Sequence, residues 1–132
     1  MKNQKTRIFL GVVVIVGVFA LIFGYNLYKQ IKQEDAILQE LGENLSDYAY
    51  FTNCEFDRKN DNGNVHSVTV YVSEDFNDLH YSEIEDFMRH AESEFSMAYL
   101  DVMIDSLTRE QMDNYDVLAR VVCGDTVYTH IR

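Results

Sequence analysis

Proline is missing from all 132 residues, cysteine occurs only twice, and basic side chains are scarce beyond Lys32. Each shortage excludes something. A chain without proline lacks the composition of a flexible stalk spanning a cell wall. Neither cysteine, Cys54 or Cys123, lies close behind the N-terminal apolar segment, which excludes lipoprotein processing. From Gln33 onward the basic residues are Arg58, Lys59, Arg89, Arg109, Arg120 and Arg132. Against the 22 Asp and Glu they leave this part at −16, while the whole chain stands at −11. Nucleic-acid binding needs a basic face that displaces counterions from phosphates, so nucleic acid is excluded as a partner. The same charge is repelled by anionic headgroups and favours basic partners or divalent cations; its bland role is solubility. Catalytic signatures are lacking as well: there is no nucleophile elbow, no Gly-rich phosphate loop and no HExxH pair.

What the chain does have begins at Ile8. Residues Ile8–Tyr28 (IFLGVVVIVGVFALIFGYNLY) carry no charge. About 20 apolar residues in a helix span a bilayer core of roughly 30 Å. The run is longer than a signal-peptide core of about 7–15 residues and ends in no small-x-small cleavage site, so an uncleaved anchor is expected. Lys2, Lys5 and Arg7 precede it, and Lys29 and Lys32 follow. By the positive-inside rule residues 1–7 form a cytoplasmic tail, 8–28 a single transmembrane helix, and the remainder lies outside the cytoplasm. Tyr25 and Tyr28 stand where interfacial aromatics belong. Ala20-x-x-x-Gly24 is a spacing through which two spans could approach as a homodimer.

Leu27, Ile31, Leu38, Leu41 and Leu45 then recur at helical spacing from the end of the span through the juxtamembrane stretch 29–47, as a short coiled coil or as an amphipathic helix packing on its own domain. An α+β domain is expected over 48–132, able to fold alone. Tyr48–Arg58 and Val65–Ser73 read as strands around an Asn62-Gly63 turn, with Tyr50, Thr52, Cys54 and Phe56 on one face of the first. Ser82-Glu83-Ile84-Glu85 reads as a capping box before a helical stripe that includes Ile84, Phe87, Ala91, Phe95 and Ala98. Tyr99–Leu107 is ambiguous between helix and strand, and Thr108–Asn114 reads as a connection. Val117–Cys123 and Thr126–Ile131 flank Gly124-Asp125 as a second hairpin, pairing Val122 with Val127, Val121 with Tyr128 and Leu118 with Ile131. The order hairpin, helix, hairpin predicts a small antiparallel sheet with one helix packed on it.

Few constellations suggest chemistry. Outside the cytoplasm Cys54 and Cys123 are a candidate disulfide, which requires neighbouring strands; two buried thiols are the alternative. Val117, Ala119, Val121 and Cys123 share one face of the last hairpin, and this face is expected to join Cys54 in one core. Asn60-Asp61-Asn62-Gly63 lacks the carboxylates of a calcium loop and reads as a turn. Asp86, His90 and Glu94 line one helix face as a metal could require, although local ion pairing is the plainer account. His66 and His130 sit on strands that could bring them together, and a Cys54–His66 nucleophile lacks any visible activating group. Asn44-Leu45-Ser46 is a glycosylation sequon. No catalytic residue, cofactor or metal ligand is assigned.

Val72–Glu85 (VSEDFNDLHYSEIE), leading into a helix, and the later CGDTVYTH resemble small uncharacterised domains of short membrane-anchored or secreted proteins from Gram-positive bacteria and their phages. The resemblance implies an α+β module and carries no activity. The expected role is a membrane-tethered, extracytoplasmic module binding another protein. A structural subunit pairing through its span and juxtamembrane helix, and a small enzyme, are the alternatives.

Overall fold

The computed structural model describes residues 2–58 and 65–129. Two compact units divide the chain, 1–33 and 34–132. Helix α1 (Lys2–Leu45) supplies the described part of the first and opens the second. In the first unit the large apolar side chains from Ile8 to Phe23 are exposed, Leu21 at 75% and Phe23 at 70%. This stretch is long and apolar enough to cross a membrane.

The second unit contains β1 (Phe51–Phe56), β2 (Val65–Val72), α2 (Tyr81–Met103), α3 (Arg109–Asn114), β3 (Asp116–Cys123) and β4 (Thr126–Thr129), with a 3-10 turn at Glu74–Asp78. Among the described residues the sheet has the order β1-β2-β3-β4. The two hairpins are antiparallel, but β2 and β3 run parallel, with Val65 opposite Asp116 and Val70 opposite Val121. The sheet is therefore mixed, which corrects the antiparallel expectation. The cause is the crossover. A helix of six turns carries the chain back to the end of the sheet where β2 began, so the next strand enters in the same direction.

One face of the sheet meets the helices. Cys54, Val68, Val70, Val72, Val117, Ala119, Val121 and Cys123 pack against Phe87, Ala91, Phe95 and Ala98 of α2. The period-two alternation of β3 is clean, with every second residue buried. The core also takes in Ile37, Leu41 and Leu45 from the last turns of α1, each at most 2% exposed. The spacing of four residues puts the three on one stripe of the helix.

Several local expectations need correction. The residue capping α2 is His80, whose Nδ1 accepts the Ser82 amide proton at 3.3 Å; the Glu85 carboxylate pairs with Arg89 instead of reaching back. The capping box lies at Thr108–Gln111, where each side chain bonds the other's backbone amide. Thr108–Asn114 is therefore a cap and short helix, not a bare connection, and the ambiguous stretch continues α2 as far as Met103. In β1 a register shift between Phe51 and Asn53 turns Thr52 out to solvent, away from Cys54. Val122 pairs with Val127 and Val121 with Tyr128 as the alternation predicts. The Asn62-Gly63 turn and the Leu118–Ile131 pair lie outside the described residues.

Candidate functional site

A concave surface of the second unit, open to solvent, lies beside α2, where the chain returns to the sheet. Arg89, Glu92, Ser93, Ser96 and Met97 form one wall, a single helical stripe at three-and-four spacing. Tyr115, Asp116 and Val117 form the other, at the entry to β3. The space between them is about 490 Å³, within the range of small-ligand clefts.

Each wall is fixed from below. The Tyr115 hydroxyl lies 2.9 Å from Ser96 Oγ, tying the two walls together, and its ring packs 5.4 Å from that of Tyr99. Tyr99 in turn stacks on His66 at 4.4 Å. Asp116 accepts the Val117 amide proton at 2.9 Å, which orients its carboxylate at the head of β3. Glu92 is only 7% exposed, a deeply set carboxylate on the helical wall. Arg89 stands at the rim, and its guanidinium is drawn 3.2 Å from Glu85, one turn back along the helix. The cleft thus combines two carboxylates, three hydroxyls and an aromatic ring.

The sequence-predicted groups do not gather here. Cys54 and Cys123 are both buried, and both are free thiols. Cys54 sits opposite Val70, whose other neighbour is Val121, so β2 separates the two cysteine strands. Two strand spacings amount to about 9–10 Å, beyond the ~4.4–6.8 Å between Cα atoms that a disulfide needs. The thiols do enter one core. Cys54 Sγ points to the Leu38 carbonyl at 3.6 Å and Cys123 Sγ to that of Ser73 at 3.2 Å. Burial pushes the Cys54 thiol up to about 11, which leaves it protonated and a poor nucleophile. His66 lies four residues along β2 from the partner of Cys54, about 13 Å away in a strand, so no Cys54–His66 pair forms.

The Asp86–His90–Glu94 face pairs locally, with His90 Nε2 3.6 Å from Glu94. Glu94 also accepts a hydrogen bond of 2.8 Å from the Asn44 amide, engaging the sequon asparagine. Among the described residues no three His, Cys, Asp or Glu converge as metal ligands would. His130 and Asn60–Gly63 lie outside those residues. On the face of the sheet opposite α2, Asp57 is 8% exposed and accepts from Ser67 Oγ at 3.3 Å, with Arg120 Nε at 3.9 Å. Tyr71 bonds Glu55 beside them, and that bond raises the phenol's pKa.

The cleft escaped the sequence reading because its walls come from separate elements brought together only by the crossover. Ser93, Ser96 and Met97 resemble any solvated helix face until Tyr115 is placed across from them. No family model, curated protein or solved structure matches this chain.

Proposed function

We propose that this chain is a single-pass membrane protein whose acidic α+β domain lies outside the cytoplasm and binds another protein. The observation that carries the reading is the contrast between the units. The first exposes an uncharged, largely apolar surface from Ile8 to Tyr28, where water would be a costly neighbour and lipid is the natural one. The second closes its own core and keeps the excess of carboxylates at its surface. Lys2, Lys5 and Arg7 favour a cytoplasmic N-terminus. Binding is preferred to catalysis because the cleft hydroxyl at Ser96 faces Tyr115 rather than a general base. Association through the juxtamembrane helix is disfavoured, since Leu41 and Leu45 are already buried in their own domain.

Protease added to intact cells or spheroplasts tests the topology. Loss of the domain with retention of a membrane-embedded fragment is expected. Full protection until the membrane is breached would reverse the orientation, and recovery in the soluble fraction after an alkaline wash would remove the anchor.

A further inference from the structure

We propose that the cleft between α2 and the head of β3 receives an arginine side chain of the partner protein, an assignment that rests on the binding reading above. Its chemistry favours a cation. Glu92 and Asp116 supply two carboxylates, while the rim cation, Arg89, is turned toward Glu85. The surrounding domain carries −16 and draws basic groups toward it. The geometry favours a long side chain over a bare ion. Met97 and Tyr115 offer apolar and aromatic surface on which an aliphatic stem and a planar guanidinium can lie. Ser93, Ser96 and Tyr115 provide hydroxyl oxygens beside the carboxylates, and a guanidinium has five N–H donors in a rigid fork to use them. Lysine has a compact, strongly hydrated charge that gains less from a planar, aromatic-walled site. A deeply set carboxylate gains more from a cationic partner than the exposed carboxylates elsewhere, because solvent screens it less.

The probe is the peptide acetyl-Gly-Gly-Arg-Gly-Gly-amide, titrated into the full chain in lipid nanodiscs at physiological salt and followed by amide NMR shifts. Saturable shifts confined to Ser93, Ser96, Met97 and Tyr115–Val117 are expected. The uncharged citrulline peptide should bind at least about tenfold more weakly, the cost of losing a charge-assisted hydrogen bond. Glu92→Gln should weaken the arginine peptide similarly. Because that variant alters a buried position, Ser93→Tyr, which fills the mouth from an exposed site, should also abolish binding with the remaining spectrum unchanged. Shifts scattered over the acidic surface, equal binding of the citrulline peptide, or binding of a free diamine as tight as the peptide would overturn the assignment. A photo-crosslinker installed in living cells at Ser93 and, separately, at Val127 distinguishes the two levels. Adducts at Val127 alone would overturn the cleft and leave the binding module standing. No protein adduct at either position would count against both.

Discussion

Residues 37–45 belong to the domain's core, and removing them should abolish cooperative folding. Ile37, Leu41 and Leu45 are 2%, 0% and 0% exposed. Complete burial of an aliphatic side chain contributes about 1.5–3 kcal/mol, so the three together contribute about 5–9 kcal/mol. A small domain has a total stability of only about 5–15 kcal/mol. A fragment of residues 48–132 should therefore show little or no cooperative transition, contrary to what the strand and helix pattern alone suggested. A fragment of residues 34–132, beginning where the second compact unit begins, should unfold in a single step. Within it, Leu41→Ala should cost about 2–5 kcal/mol as a large-to-small core change. At ~4–8 °C per kcal/mol for a domain of this size, the melting temperature should fall by about 10 °C or more. Thermal and urea melts followed by circular dichroism give both quantities. If residues 48–132 melted cooperatively within a few degrees of the longer fragment, α1 would be an accessory to the core and the reasoning would fail.

Other expectations concern charge and sulfur. Thiol titration of the unreduced chain should find two free thiols after denaturation, and Cys54 should resist alkylation in the native state at neutral pH because burial holds it protonated. One disulfide, or rapid native labelling of Cys54, would contradict the strand order or the burial. The Glu40 carboxyl is raised above the usual range, first by its hydrogen bond with Asp101, then by burial and by the charges of Asp101, Glu43 and Glu94. A raised folded pKa means that the native state holds this proton better, so its stabilising effect is full below the unfolded pKa and fades as pH rises through the folded one. Asp101→Asn should accordingly raise the urea midpoint at neutral pH relative to the parent and change it little under acid conditions; an equal shift at both would refute the shared proton. Asp57→Ala should destabilise the domain by about 1–3 kcal/mol, the usual effect of removing a buried hydrogen-bonding group. An unchanged urea midpoint would mean that the contacts to Ser67 and Arg120 are inconsequential.

Some of this architecture was legible in the sequence. The faces of β3 follow from strict alternation, and the register of the second hairpin follows from Gly124-Asp125, where Gly124 adopts the positive φ of 58° that the turn requires. The apolar stripe of α2 could be read in the same way. The direction of β3 could not, because alternation is blind to strand polarity and hydrogen-bond partners lie far apart in the chain. The cap of α2 lies two residues before the one the pattern points to: Ser82 has the favoured side chain, yet the extended backbone stands at His80, and an imidazole nitrogen accepts as a serine oxygen would. The α1 stripe was visible, while its destination was not, since a coiled-coil seam and a domain face have the same periodicity. The cleft depends on the crossover and inherits its illegibility.

The parallel pairing at the centre of the sheet also sets the order in which the domain can be completed. β2 finds β1 through a local hairpin, but its other edge waits for β3, about fifty residues downstream. At ~5–20 residues per second of synthesis, that edge stands bare for about 3–10 s. Val68, Val70 and Val72 make it a sticky template for other nascent chains during that interval. A chain that terminates anywhere between Met103 and Tyr115 would possess α1, α2 and one hairpin yet be unable to cover this strand. Such a product should be a substrate for holding chaperones and proteases, and a source of aggregates, rather than a partly working domain.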